Sequence, residues 1–221
     1  MRSSLGFLGG LLIAGAVMSG AFVAGVSAHD GVVHKSAKEA ADHAAKTAGK
    51  TKAAPSAGLP FPVDIQAKFA LVDHDGRAVT EQDFAGKTMA IFFGYASCPA
   101  ICSVAMPRLG AALDLLGDKA EGVAPLLITV DPERDTVGAM GPALAKWHPG
   151  LIGLTGSEDA LAQARKAFQV ERSKVMDDPE GNPIYAHGSF IYLVGPDGKV
   201  RTLLPPILGP ERMAELIESY L

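Results

Sequence analysis

The sequence predicts an α/β protein in which a central sheet is flanked by helices and carries a hairpin insertion. Continuous apolar runs at 88–95 and 123–130 predict strands that are buried on both faces. Segments with apolar residues at helical spacing alternate with such strands, a pattern typical of a sheet covered by helices. The 221 residues are 48% hydrophobic and 20% charged, with a net charge of −4. This composition suits a folded globular chain and argues against a disordered chain and against a nucleic-acid binder, which usually carries a basic surplus.

The first 28 residues predict export from the cytoplasm. Arg2 precedes an uncharged, mostly apolar stretch from Leu5 to Ala28, which is long enough to cross a bilayer. The stretch ends in Val26-Ser27-Ala28, a small-residue pattern that suits signal peptidase. Residues 1–28 are therefore either a cleaved signal peptide or a retained membrane anchor. Both alternatives place the rest of the chain on the periplasmic side of the bacterial inner membrane.

Residues 29–58 predict a flexible linker. They are rich in Ala, Lys, Ser, Gly and His, and their only large apolar residues are Val32 and Val33. Such a segment cannot bury enough apolar surface to form a core. The folded domain is therefore predicted over residues 59–221.

Turn signals and apolar spacing predict the first half of this domain. His74-Asp75-Gly76 is typical of a hairpin turn, and Pro107 is expected to kink a helix. Asp135 is of a residue type that favours the N-cap of a helix. The predicted elements are strands Gln66–Val72, Arg77–Thr80 and Thr88–Tyr95, helix Ile101–Leu116, strand Val123–Val130, and a helix from Asp135 to Trp147.

The second half of the domain begins with a helix and ends with one. Ser157 is followed by Glu158 and Asp159, whose charges suit the first turn of a helix, and Pro210 suits a first helical position. The loop 178–182 predicts a turn between two strands. The predicted elements are strand Leu151–Leu154, a helix from Ser157 to Phe168, strands Val170–Met176, Ile184–Val194 and Lys199–Leu204, and a helix from Pro210.

Both cysteines, Cys98 and Cys102, follow a predicted buried strand and stand at the start of the next helix. Two cysteines are too few for a disulfide scaffold. Thioredoxin-like folds place active cysteines at this position, where the helix dipole and free N–H groups favour a thiolate. We therefore expect a thioredoxin-like fold.

The cysteines are spaced as C-x-x-x-C. Residues at i and i+4 of a helix have Cβ atoms about 5–6 Å apart, whereas a disulfide requires about 3.5–4.5 Å. A redox disulfide between Cys98 and Cys102 is therefore expected to need local adjustment. A metal ion relaxes the demand, since two metal–sulfur bonds hold the sulfurs about 4 Å apart. Two sulfurs alone leave such a site incomplete.

His187 is the candidate third ligand. It lies just before the apolar stretch Phe190–Val194, where thioredoxin-like folds commonly place a cis-proline that faces the cysteines. Two thiolates and one imidazole suit Cu(I), Cu(II) or Zn(II). Three protein ligands leave room for exchange, which suits a carrier better than a structural site.

Several stretches of residues 59–221 together resemble the SCO/SenC family of copper-binding proteins. The resemblance implies a thioredoxin-like fold and a copper ion, Cu(I) or Cu(II), bound by Cys98, Cys102 and His187. It also implies assembly of the binuclear copper centre of cytochrome c oxidase, by copper delivery or by thiol reduction of the target. The stretches are Phe92-Phe93-Gly94-Tyr95 with the C-x-x-x-C, Asp131-Pro132-Glu133-Arg134-Asp135-Thr136, Gly153-Leu154-Thr155-Gly156, and His187 with Ile191–Gly198.

The chain departs from the family pattern at two positions. Ala100 stands where the family often has an acidic residue, and Ser103 stands where it usually has proline. The three ligands are retained. The implied partner is the copper-centre subunit of the oxidase or, for a specialised paralogue, another periplasmic cuproprotein.

Asp131 and Asp135 follow the second buried strand, at the edge of the sheet where the cysteines emerge. One interpretation makes Asp131 a turn residue and Asp135 a helix cap. The other makes them accessory residues that tune the metal site or contact the partner.

Two functions use the same cysteines. A copper metallochaperone, which is not an enzyme, needs His187 as a ligand. A thiol–disulfide oxidoreductase that reduces the copper-ligand cysteines of a partner does not need it. Neither cysteine fits a third class, the peroxiredoxin-type peroxidase. Such an enzyme has Thr or Ser three residues before its cysteine, whereas Tyr95 precedes Cys98 and Pro99 precedes Cys102 at that distance.

Overall fold

A computed structural model of the chain describes residue 65 and residues 67–221. The predicted signal peptide or anchor at 1–28 and the linker at 29–58 lie outside these residues. Within the described part, none of the helices is long and apolar enough to span a membrane.

Seven of the nine described strands form one sheet, in the order β2-β1-β5-β4-β3-β8-β9. The three central strands β3, β4 and β5 run parallel, and the other neighbours pair antiparallel. Every residue of β3 and β4 is buried, as their apolar runs predict. The strands are β1 (Ala70–Asp73), β2 (Ala78–Thr80), β3 (Thr88–Gly94), β4 (Val123–Thr129), β5 (Ile152–Thr155), β6 (Arg172–Asp177), β7 (Pro183–His187), β8 (Ile191–Val194) and β9 (Val200–Leu204).

Four α-helices of the described part of the chain pack around this sheet. The longest, α1, follows β3, carries buried apolar residues along its length and packs against α4. The prolines have their predicted places: Pro107 lies inside α1 and Pro210 is the first residue of α4. The helices are α1 (Cys102–Leu116), α2 (Met140–Leu144), α3 (Glu158–Ala167) and α4 (Pro210–Glu218).

The helix predicted from Asp135 to Trp147 is wrong in its extent. Only α2 forms there, and Ala139 rather than Asp135 is its N-cap residue. Gly138 has φ of +84°, a left-handed conformation that interrupts a right-handed helix. The chain from 131 to 139 therefore forms a loop at the end of β4, and Asp135 is available for another contact.

Strands β6 and β7 form a separate two-stranded sheet, which is the predicted hairpin insertion. The strand predicted at Ile184–Val194 is in fact two strands, because β7 ends at His187 and β8 begins at Ile191. The break removes His187 from the main sheet and places it at the end of the hairpin, beside residues 188–190.

Candidate metal centre

The end of β3 and the start of α1 position the two cysteines. The Cys98 N–H donates to the Tyr95 carbonyl at 3.1 Å, so the chain turns tightly between strand and helix. Cys98 is 5% exposed and Cys102 is fully buried. Both cysteines are free thiols.

The hairpin brings His187 to the same point. Its Nε2 atom lies 3.7 Å from Cys102 Sγ, and ligand atoms of Cys98, Cys102 and His187 all lie within 4.8 Å of one another. His187 Nδ1 lies 2.9 Å from the Gly188 carbonyl oxygen, which can only accept a hydrogen bond. Nδ1 therefore carries the proton, and Nε2 presents its lone pair to the sulfurs. This is the tautomer that a metal-ligating histidine requires.

Aromatic rings enclose the imidazole of His187. The Phe92 ring meets it edge-on with centroids 5.9 Å apart, and the Tyr95 ring does so at 6.0 Å. Tyr95 also meets Tyr185 edge-on, at 6.2 Å. These contacts limit the rotation of the ring and lower the polarity around the sulfurs, because Phe92 and Tyr95 are themselves buried.

The surroundings of the two thiols shift their pKa values in opposite directions. Hydrogen bonding from the Cys102 thiol, with the backbone N–H groups of Cys102 and Ala100, lowers the pKa of Cys98 against the effect of burial. The hydrogen bond to Cys98, burial and the negative charge on Cys98 raise the pKa of Cys102. The metal-free site therefore favours one thiolate, and a cation bound to both sulfurs stabilises the second.

Asp135 holds the loop that precedes Cys98, and it is not the helix cap that the sequence predicts. Its Oδ2 atom accepts hydrogen bonds from the Ala96 N–H at 3.0 Å and from the Thr129 hydroxyl at 2.8 Å. Burial raises the pKa of this carboxyl group. Asp135 therefore acts on the cysteines through the backbone.

Asp131 lies beside this network. Its N–H donates to the Thr129 hydroxyl at 2.9 Å, and its carboxylate pairs with Arg134. Among the described residues, the only group placed to hold a metal is Cys98, Cys102 and His187, so Asp131 and Asp135 contribute no ligand atom to it.

Sequence reasoning missed two residues of this site. Gly94 ends β3 directly beneath Cys102, and Arg134 connects Asp131 to the hairpin. Arg134 belongs to the stretch Asp131–Thr136, but its role depends on Tyr95 and Pro183, which lie in distant parts of the chain. Only the small size of Gly94 beside the cysteines gave a local signal.

Fold and site together define a thioredoxin-like protein with a Cys–Cys–His group at the start of helix α1. The profile of the SCO1/SenC family matches residues 58–221. The chain belongs to this family, and its thioredoxin-like fold is confirmed by the solved Sco structures that it resembles.

Three relatives illustrate the match. The mitochondrial SCO2 homologue of Danio rerio is 37% identical over 158 residues, which are 71% of this chain and 57% of that protein. Copper-bound ScoI of Bradyrhizobium japonicum is 34% identical with a TM-score of 0.66, covering 71% of this chain and 99% of that one. Copper-bound yeast Sco1 is 30% identical with a TM-score of 0.63, covering 72% and 91%. This chain covers only 51% to 59% of the length of the first curated relatives that it matches.

Proposed function

We propose that this protein is a copper metallochaperone that binds one copper ion through Cys98, Cys102 and His187. The observation that carries the proposal is the convergence of two sulfurs and an unprotonated imidazole nitrogen within 4.8 Å. The copper ion is cargo rather than a resident cofactor. The target is the copper-centre subunit of cytochrome c oxidase or another periplasmic cuproprotein.

The donor set suits copper in both oxidation states. Thiolates are soft ligands that favour Cu(I), and imidazole adds a donor that Cu(II) accepts readily. The solved relatives with copper bound support this choice of metal. Three protein ligands leave a coordination position open, through which a ligand of the target protein can enter before the ion is released.

A second candidate function is thiol–disulfide exchange. The opposite pKa shifts of the cysteines favour it, because Cys98 is poised to attack and Cys102 to resolve. The Cys98 thiolate attacks a disulfide of the target, and the Cys102 thiolate then displaces the second target sulfur. The two target sulfurs gain two electrons, one proton comes from the Cys102 thiol and the second from water, and Cys98 and Cys102 become a disulfide. The same residues serve both functions, but only copper binding uses His187.

We place the domain on the periplasmic side of the inner membrane, as residues 1–28 predict. A reporter that is active only outside the cytoplasm, fused after Leu221, is expected to be active. Its activity does not depend on whether the segment is cleaved. Activity of the matching cytoplasmic reporter contradicts this topology.

Copper titration of the full chain tests the metallochaperone proposal. We expect one copper per chain, loss of tight binding in Cys98→Ala and Cys102→Ala, and a greater loss of Cu(II) than of Cu(I) affinity in His187→Ala. His148→Ala is the matched control, because His148 bonds to Asp114 and Gly150 instead. Stoichiometric copper in the double variant Cys98→Ala/Cys102→Ala contradicts the site.

A further inference from the structure

The hairpin β6–β7 carries His187 without belonging to the main sheet. Its two strands pair only with each other, and the seven-stranded sheet is complete without them. No strand ladder therefore fixes the distance between His187 and the cysteines. That distance depends on the side-chain contacts that hold the hairpin against the rest of the domain.

Arg134 makes contacts in three segments at once. Its Nε atom pairs with the Asp131 carboxylate in its own loop, and its Nη2 donates to the Pro183 carbonyl at 2.7 Å. The guanidinium carbon lies 5.3 Å from the centre of the Tyr95 ring. Pro183 is the first residue of the strand that ends at His187, and Tyr95 accepts the hydrogen bond of Cys98 N–H. One side chain thus joins strand β7, which ends at His187, to the turn that positions Cys98.

Asp131 fixes the base of this connection. Its side chain is only 1% exposed, and its Oδ1 atom has no hydrogen-bond partner among the described residues. A buried carboxylate with a free oxygen depends strongly on the cation that pairs with it. Arg134 is therefore held tightly at Asp131, and its remaining N–H groups point in a fixed direction.

A second arginine holds the end of the hairpin at which Arg172 of β6 lies opposite His187 of β7. Arg172, the first residue of β6, stacks on Tyr185 with its guanidinium carbon 4.0 Å from the ring centre. Its Nη1 lies 3.2 Å from Glu158 at the start of α3. Because β6 and β7 pair along their length and Arg172 also stacks on Tyr185 of β7, the contact with Glu158 keeps the hairpin attached when the Arg134 contact is lost. Only the Pro183 end of β7 then loses its connection to the loop that carries Arg134.

We propose that Arg134 is the positioning residue that holds His187 at ligating distance from Cys98 and Cys102. The inference rests on the proposed copper function. It attributes the position of the third ligand to the contacts that run from Asp131 through Arg134 to Pro183. Arginine suits this position because its planar fork donates from Nε and Nη2 in different directions. A lysine has one nitrogen, so it can neutralise Asp131 but cannot also hold Pro183 in the same geometry.

The test compares Arg134→Lys with Arg212→Lys in the full chain. Arg212 is an exposed residue of α4 that pairs with Glu215. Its replacement therefore controls for the change from arginine to lysine away from the site. In the metal-free protein, we expect hydrogen exchange at the amides of β7 to be about tenfold faster in Arg134→Lys and unchanged in Arg212→Lys, with β3 and β4 unaffected in both.

The second measurement is Cu(II) affinity, combined with the nitrogen hyperfine coupling in the electron paramagnetic resonance spectrum. Arg134→Lys is expected to bind Cu(II) about 10- to 100-fold more weakly and to lose nitrogen coupling. In the His187→Ala background, the same replacement is expected to cause no further loss, because it acts through the absent imidazole. An equal loss in both backgrounds, or no loss in either, overturns the proposal.

Failure of the proposed copper function is recognisable separately. It appears as the absence of stoichiometric copper on the unaltered chain. In that case the exchange rates of β7 alone decide whether Arg134 positions His187: faster exchange in Arg134→Lys supports the assignment, and unchanged exchange overturns it.

Discussion

Gly94 lies so close to Cys102 that a methyl group at Gly94 would stand 2.9 Å from the Cys102 sulfur. The same methyl group would stand 2.7 Å from an edge carbon of Phe92. Real Cβ atoms do not approach other atoms to this extent, so either the sulfur or the ring must move. The absent side chain at the end of β3 is what allows the first turn of α1 to bring Cys102 down onto the strand.

Replacement of Gly94 by alanine should therefore damage both stability and the metal site. We expect Gly94→Ala to lower the free energy of unfolding by about 1–3 kcal/mol, as overpacking of a core does, and to weaken copper binding by displacing Cys102 Sγ. Denaturant unfolding and copper titration measure the two effects.

The matched control for this variant is Gly156→Ala. A Cβ there would lie 3.4 Å from a Leu71 methyl group and 3.8 Å from the Ala160 Cβ, which are ordinary contacts, so copper binding should be unchanged. A Gly94→Ala protein with unaltered stability and copper affinity contradicts this account of the close approach.

The sequence predicts the buried strands and the proximity of Cys98, Cys102 and His187 better than it predicts the loop contacts. The apolar runs of β3 and β4 identify buried strands because burial on both faces leaves a continuous local signal. The sequence wrongly predicts a helix cap at Asp135, because the local pattern Asp-Thr before apolar residues is typical of a cap. Its actual partner, Ala96, lies 39 residues earlier in the chain, and no local pattern records that contact.

The sequence predicts the position of His187 from its place before a strand. It does not predict that His187 lies outside the main sheet. The stretch 184–194 reads as one apolar strand with a glycine in it. The structure divides it because β7 pairs with β6 while β8 pairs with β3 and β9. Choice of pairing partner is a property of the whole sheet, so a single stretch of sequence cannot reveal it.

Removal of the Asp135 side chain should destabilise the cysteine loop. Asp135→Ala leaves the Ala96 N–H and the Thr129 hydroxyl without their acceptor. Each buried group left unpaired costs about 1–3 kcal/mol. Asp135→Asn should cost less, because both bonds go to one oxygen, Oδ2, which the amide carbonyl can replace. Denaturant unfolding of the two variants gives the comparison, and equal losses would contradict the acceptor role.

The raised pKa of Asp135 also predicts a pH dependence. The folded state binds this proton more tightly than the unfolded state does, so stability falls as the pH rises from the unfolded pKa, about 4, through the folded pKa. Asp135→Asn removes the titrating group, and its free energy of unfolding should decline less over this range than that of the unaltered chain. Asp118→Asn, at an exposed position, is the control and should follow the unaltered chain.

Cys98 should react with alkylating reagents before Cys102, and at lower pH than an ordinary thiol. Its pKa is lowered while that of Cys102 is raised, and only Cys98 has any exposed surface. The Cys98 thiolate therefore persists as the pH falls below about 8.5, the pKa of a free cysteine. Iodoacetamide labelling followed by peptide mass spectrometry measures both rates. In denaturant the two cysteines should react alike, and equal rates in the folded protein contradict the prediction.

The choice between copper carrier and thiol reductase can be made in cells that lack the protein. Exchange with a target disulfide passes through the sulfurs of Cys98 and Cys102 and needs no imidazole, whereas a three-ligand copper site loses one ligand when His187 is replaced. For a carrier, His187→Ala should behave like the deletion at limiting copper, and added copper should relieve the oxidase-assembly defect. For a reductase, His187→Ala should retain function while either cysteine variant fails, and added copper should give no relief.

We expect the carrier result, because the Gly188 carbonyl holds the imidazole in the tautomer that presents Nε2 to Cys102. Ligation requires this arrangement and disulfide exchange does not. Full complementation by His187→Ala, at native expression and limiting copper, would reverse this assignment.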